Sequence, residues 1–210
     1  LGDVYKRQAQ KPNPIMTEVK HRVGIIGAGV IADFHAQALQ AMQGVELVAA
    51  FARNPDKASA FGAKYGCAGY SDLERFLRHQ GMNVVTVGSV SGVHLEHVRS
   101  AAYAGKHVIC EKPLEVTTDR VDEMIRVCEE QGVMLSGIFP RRFNDSTSIF
   151  KNALRAGRLG KVVLCDTSIK WWRTQEYYDS GAWRGSWDLD GGGALMNQSI
   201  HTVDLMLHLM

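Results

Sequence analysis

The 210-residue chain has only four cysteines and five prolines. Cys67, Cys110, Cys128 and Cys165 lie far apart and form no C-x-x-C pair, which excludes a disulfide scaffold or a thiolate zinc knuckle. They are expected to be four small buried hydrophobes in a reducing cytosol, so a cytoplasmic location is expected. No apolar run approaches the ~18 residues that a membrane span needs. No basic block occurs either. The 24 Lys and Arg against 22 Asp and Glu leave a net charge of +2, which argues against nucleic acid or an anionic membrane as partner. His94 and His97 stand three apart with no cysteine or carboxylate pattern beside them, so no metal site is expected. What is present, 45% hydrophobic and 22% charged residues, excludes a disordered chain.

The first fifteen residues lack periodicity and have no leucine-rich core of a signal peptide. They read as a non-native or disordered leader (1–15), with Met16 as the native start. The last ten, HTVDLMLHLM, are helical by pattern and carry no capping glycine or lysine. The chain therefore reads as a C-terminally truncated fragment of a longer protein.

Between these ends, apolar strands alternate with helices. Arg22–Gly27, Glu46–Phe51, Asn83–Val87, Lys106–Cys110 and Val133–Ile138 are short apolar runs suited to buried strands. Val30–Met42, a helix opened by Asn54-Pro55, His94–Ala104 and Thr118–Glu130 lie between them, and Ser71 to Glu74 has the form of a capping box. This order predicts α/β architecture: a doubly wound parallel sheet of Rossmann type over residues 16–138. From 139 to 210 the pattern predicts the start of a second, incomplete α/β domain. Ser146–Ala156 is helical there, Lys161–Gln175 alternates as a long antiparallel strand would, and a helix begins near Gly193. Trp171-Trp172-Arg173 is expected to belong to that sheet rather than to a site.

Gly27-Ala28-Gly29-Val30-Ile31-Ala32 is a G-x-G-x-x-A turn set between the first strand and the first helix. The first glycine allows the turn, the second lets a pyrophosphate approach, and Ala32 lets helix and strand pack closely. The backbone at Gly27, Gly29, Val30 and Ile31 is thus the expected phosphate cradle of NAD or NADP. The second strand ends in Phe51-Ala52-Arg53-Asn54 and lacks the acid that would hold the ribose hydroxyls of NAD. Arg53 is suited to a ribose phosphate, which leans the reading toward NADP.

Cys110-Glu111-Lys112-Pro113 follows a buried strand, at the sheet edge where ligands bind in such folds. AGKHVICEKPL, followed later by DGGGALMNQSIHTVDL, resembles the glucose–fructose oxidoreductase / inositol dehydrogenase / rhizopine-catabolism (Gfo/Idh/MocA) family, from Val23 to the last residue. The resemblance implies a Rossmann domain joined to a C-terminal domain with a mostly antiparallel sheet, and a homo-oligomer in the full-length protein. It also implies NAD(P)-dependent oxidation of sugars, inositols and related polyols. By the same resemblance Lys112 is catalytic and touches the cofactor, His201 is a proton-transfer residue, and His94 lies near the nicotinamide. Ser89, where the family commonly has Thr, and Glu111 join the expected cofactor wall. The chain departs from the family at three places: Ser89-Val90 replaces Thr-Pro, Asn197 replaces the frequent Asp before the helix histidine, and Pro140 replaces the usual Asn before Arg-Arg-Phe.

The chemistry needs a base for the proton of a secondary alcohol. Burial lowers the pKa of a lysine toward that task, and Glu111 opposes the shift if its carboxylate is close. His201 starts near the working pH. Asn197, His201, Asp204 and His208 form one helical stripe, with Met196, Ile200, Val203 and Leu207 as the adjacent apolar stripe expected to face the core. Asp204 is then a candidate to orient the imidazole, and Asn197 to bind a substrate hydroxyl. Gly191-Gly192-Gly193 admits close approach by a cofactor or sugar. Tyr178, Trp183 and Arg184, with Tyr177 and Trp187, suit a sugar ring or a packed loop equally. Two other functions stay open at this point: an NAD-dependent glycoside hydrolase, and a non-catalytic nucleotide-binding protein.

Overall fold

A computed structural model describes residues 21–210, so the expected leader and the start at Met16 lie outside the described residues. Six strands, β1 (His21–Ile26), β2 (Val45–Phe51), β3 (Ala68–Tyr70), β4 (Val84–Val87), β5 (His107–Cys110) and β6 (Leu135–Gly137), form one sheet in the order β3-β2-β1-β4-β5-β6. Every pairing is parallel. This is the doubly wound Rossmann order, with its switch point between β1 and β4. Strands covered on both faces must be apolar throughout. All four residues of β4, Val84-Val85-Thr86-Val87, are buried accordingly.

Helices α1 (Val30–Ala41), α2 (Pro55–Tyr65), α3 (Leu73–Leu77), α4 (His94–Tyr103) and α5 (Thr118–Glu130) cover the sheet. The core falls into two clusters. One gathers Val85, Val87, Val98, Val108 and Met124, and the other gathers Val23, Ile25, Ala36 and Phe61. Asn54 caps α2 by accepting from Lys57 N at 3.0 Å, with Pro55 at the first helical position. The box expected at Ser71 is displaced by one residue. Asp72 caps α3, accepting from Arg75 N at 2.8 Å, because an ionised carboxylate is as good an acceptor there as a hydroxyl.

After β6 the chain turns through Pro140–Phe143, forms α6 (Asp145–Arg155), and runs to α7 (Gln175–Asp179) and α8 (Trp187–Asp190). It ends in a π-helical turn, Ala194–Ser199, continued by α9 (Ile200–Leu209). The strand expected over Lys161–Gln175 does not form: the segment joins no ladder among the described residues. Alternation prepares a segment for a sheet, but a strand exists only where a neighbour accepts its hydrogen bonds. Val163 and Leu164 are in consequence more than three-quarters exposed, and Cys165 beside them is exposed rather than buried. Cys110 and Cys128 are buried as expected, and Cys67 is half-buried.

Candidate active site

The glycine turn lies at the carboxyl end of β1. Gly27 has φ +120°, and a Cβ there would stand 2.8 Å from the carbonyl oxygen of Gly88, at the end of β4. Only glycine tolerates both the conformation and the contact. Gly29 differs: its φ is −101°, and a Cβ would meet no atom within 4 Å. No side chain caps α1, whose first residues Val30 and Ile31 are exposed while Ala32 is sealed against the sheet. Arg53, past the end of β2, is exposed and makes no ion pair among the described residues.

At the end of β4, Ser89 Oγ meets His97 Nδ1 at 2.9 Å. Burial chiefly, with the positive charges of His94 and Arg53 adding, pushes the His97 pKa down to about 4. His94 is buried. Its Nδ1 faces the carbonyl oxygens of Pro113 and Leu114 at 3.0 and 3.1 Å, and its Nε2 faces that of Ser89 at 3.1 Å. The ring thus ties the ends of β4 and β5 together from beneath the sheet edge.

Glu111 is buried beside it. Its Oε1 meets His35 Nε2 at 2.9 Å, its Oε2 accepts from the backbone N–H of Lys112 at 3.0 Å, and His35 Nδ1 reaches Thr86 Oγ1 at 3.2 Å. The carboxylate therefore braces α1 against the strand end instead of gripping the lysine ammonium. His35 was not singled out from the sequence. Its position on the inward face of α1 was the available signal.

The Lys112 Nζ donates to Asn197, reaching its backbone oxygen at 2.9 Å and its side-chain oxygen at 3.3 Å. Asn197 in turn donates its amide to Asp190 Oδ1 at 2.5 Å, and Asp190 Oδ2 accepts from Gly185 N at 2.7 Å. Burial lowers the pKa of Lys112; Glu111 and Asp190 oppose that shift, and Arg184 adds to it. Asp190, sealed from solvent, is a member of the site that sequence reasoning missed. It fixes which way the Asn197 amide points, because a carboxylate accepts only from the NH₂ end.

Three glycines set up this turn. Gly191, Gly192 and Gly193 all have φ between +66° and +89°. What approaches them is protein: a Cβ on Gly192 would stand 2.7 Å from the Trp187 indole. The Gly193 carbonyl accepts from Asn197 N at 2.9 Å, which starts the π turn.

Lys112, Asn197 and His201 line one cavity of about 370 Å³ with Pro140, Arg141, Trp171, Arg173, Tyr177 and Gln198. Of the residues singled out for substrate, Asn197 lines it, while Tyr178, Trp183 and Arg184 are not among its lining residues. Arg184 stacks 4.3 Å from the Tyr177 ring centroid and donates to its hydroxyl at 2.7 Å, and Tyr178 packs edge-on against the same ring. Trp171 and Arg173, expected in a sheet, line the cavity because their segment crosses its mouth unpaired. Arg141, which was not singled out from the sequence, follows the carboxyl end of β6, where ligands bind in such folds.

His201 has its pKa lowered, by burial first and then by the charges of Lys112 and Arg141. Its Nδ1 is buried without a hydrogen-bond partner among the described residues. Asp204 does not orient it. That carboxylate is claimed by Arg142, which donates Nε to Oδ2 at 2.9 Å and Nη2 to Oδ1. Asn197 and His201 line the cavity, but the apolar stripe is not sealed on the other side: Met196, Ile200 and Val203 are only half-buried. Asn197 and Asp204 are buried while Leu207 is 70% exposed, because the polar stripe finds its partners Lys112, Asp190 and Arg142 inside.

Comparison with known proteins agrees with this geometry. Residues 21–139 match the profile of the oxidoreductase family with an NAD-binding Rossmann fold (GFO_IDH_MocA), and residues 149–210 match its C-terminal domain. The D-glucoside 3-dehydrogenase of Escherichia coli K12 is 32% identical over 93% of this chain and 55% of its own length. The myo-inositol 2-dehydrogenase of Thermotoga maritima is 30% identical over 90% of this chain and 54% of its own length. The crystal structure of the WlbA dehydrogenase from Bordetella pertussis, in complex with NADH and UDP-GlcNAcA, superposes with a TM-score of 0.86 at 35% identity, covering 91% of this chain and 59% of that one. The chain thus spans little more than half the length of the relatives it matches. It belongs to the Gfo/Idh/MocA oxidoreductase family.

Proposed function

We propose that the protein is an NAD(P)-dependent oxidoreductase that moves a hydride between the nicotinamide and a secondary alcohol or ketone of a sugar, polyol or sugar derivative. The observation that carries this reading is that Lys112, from the end of β5, and His201, from α9, line one cavity at the carboxyl edge of a Rossmann sheet.

The residues present fit a dinucleotide. Gly29 leaves open space before an uncapped helix start. There Gly27, Gly29, Val30 and Ile31 would hold the pyrophosphate. Arg53, unopposed by any acid at the end of β2, favours a ribose phosphate and hence NADP. Ser89, His94 and Glu111 shape the wall behind Lys112. When bound, the nicotinamide supplies the hydride acceptor or donor.

The chain's own residues handle the proton. A lysine with a lowered pKa takes the proton of a substrate hydroxyl more readily than an exposed one. Two oxygens of Asn197 hold Nζ in place and leave its third bonding direction free for the substrate. The neutral His201 imidazole is placed to pass that proton outward or to hold a neighbouring hydroxyl.

In the full-length protein, Lys112→Ala is expected to lower turnover of an accepted sugar by about 10³-fold, within the range for loss of a proton-transfer group. Dinucleotide affinity, read by fluorescence titration, is expected to change by less than about threefold, roughly 0.6 kcal/mol. Turnover within about tenfold of the unmodified protein would remove the lysine from the chemistry.

A further inference from the structure

We infer that the substrate carries a negatively charged group, a carboxylate or a phosphate, which Arg141 and Arg173 receive. The inference rests on the oxidoreductase reading for its site and deepens that reading by naming the substrate's chemical class.

Among the described residues the cavity lining holds Lys112, Arg141 and Arg173 and no Asp or Glu. Elsewhere Arg22, Arg78, Arg99, Arg120, Arg126 and Arg142 each pair with a carboxylate. Of the other described arginines, Arg53, Arg75, Arg155, Arg158 and Arg184 have no carboxylate partner, but none of these five lines the cavity. Among the described residues Arg141 and Arg173 have only neutral acceptors. Arg141 donates to Thr202 Oγ1 at 2.7 Å. Arg173 donates to Gln198 Oε1 at 2.7 Å and to the Trp172 carbonyl at 3.2 Å. Its Nε is buried with no partner among the described residues.

Both guanidinium groups lie against one indole: Arg141 is 4.9 Å and Arg173 5.7 Å from the Trp171 ring centroid, and Arg173 is also 5.1 Å from that of Tyr177. Such stacking holds a cation in position without neutralising it. Two like charges beside one ring, near a lysine, repel one another until an anion sits between them. Glu111 and Asp190, the carboxylates that act on Lys112, bond to His35, Asn197 and backbone N–H groups and accept from neither Arg141 nor Arg173. The missing counter-charge is therefore left to the ligand. Guanidinium forks held beside an aromatic ring suit the paired oxygens of a carboxylate or phosphate. An uncharged sugar gains nothing from them beyond ordinary hydrogen bonds.

The test is calorimetric titration of the full-length protein, with the reduced dinucleotide present, using glucose, glucuronate and glucose 6-phosphate as probes. At least one anionic probe is expected to bind about tenfold or more tightly than glucose. The preference is expected to shrink when ionic strength rises from ~0.05 to ~0.5 M. The Arg141→Gln/Arg173→Gln double variant is expected to erase it, with circular dichroism confirming the fold. Which probe wins tells a carboxylate site from a phosphate site. Glucose binding as tightly as both anions would overturn the inference, as would failure of both anions to bind below about 10 mM. Nicotinamide absorbance with the same probes reports the other reading separately. Anions that bind tightly yet never change the cofactor's redox state uphold the charge assignment and defeat the proposed reaction.

Discussion

Before Phe139 the side chains that shape the site hang from a sheet whose core residues, Ile25, Val85, Val87 and Ala101 among them, are sealed from solvent. Beyond it, Asn197, Arg141 and Asp204 are held by hydrogen bonds, ion pairs and stacking, while Phe143, Val163 and Trp172 are each more than four-fifths exposed. Apolar packing positions the strand that ends at Cys110, just before Lys112, whatever the pH or salt. Polar contacts position Asn197 and Asp204 only while their partners Lys112, Asp190 and Arg142 keep their charge. The difference teaches that the two halves of the cavity answer to different conditions, although they share it.

The sharpest way to break this comparison is within the glycine turn itself. Gly29→Trp places a bulky group in open space, so the fold is expected to survive while dinucleotide affinity falls by more than about 100-fold. Gly27→Ala does the reverse: strain at φ +120° and a clash with Gly88 are expected to cost about 1–3 kcal/mol of stability. Calorimetric binding and urea unfolding separate the two. Equal dinucleotide affinity in Gly29→Trp would reject the turn as the phosphate site.

His97, half-buried beside the end of β4, tests whether the first region is indifferent to pH. Its folded pKa of about 4 lies below the ordinary ~6.5. Stability from the neutral ring is therefore full above the unfolded value. It is lost as the pH falls toward the folded one, because the unfolded chain then binds the proton more readily. Over that window the loss from this residue is about 3 kcal/mol. His97→Gln is expected to remove most of that slope in denaturant unfolding from pH 7 downward. An unchanged slope would deny the residue its role.

The smallest effect belongs to the rim. Arg53→Ala is expected to weaken NADP by about tenfold and NAD much less, a difference of ~1.4 kcal/mol. Equal losses for both dinucleotides would remove the preference inferred from charge.

The sheet was legible because each buried parallel strand must be an apolar run, and Val84–Val87 or His107–Cys110 admit no other use. β3 was not: Ala68-Gly69-Tyr70 is too short to show a run, and its place at the sheet edge demands little apolarity. Lys112 and His201 were legible through the blocks that hold them. Arg141, Trp171 and Arg173 were not read as one cluster, because separate segments meet only in the folded chain. The burial of α9 was legible only in part for a related reason. Its apolar stripe looked like the buried face, but the Asp204 carboxylate and the Asn197 amide on the other stripe had buried partners waiting. A polar group with a fixed partner is cheaper to bury than the pattern alone suggests.

The most direct measurement is a crystal structure of the full-length protein with the reduced dinucleotide and a bound sugar. The account predicts the nicotinamide beside Lys112, with Lys112 Nζ and the His201 ring both within hydrogen-bonding reach of one sugar. A nicotinamide seated away from the cavity, or a sugar that touches neither side chain, would contradict it.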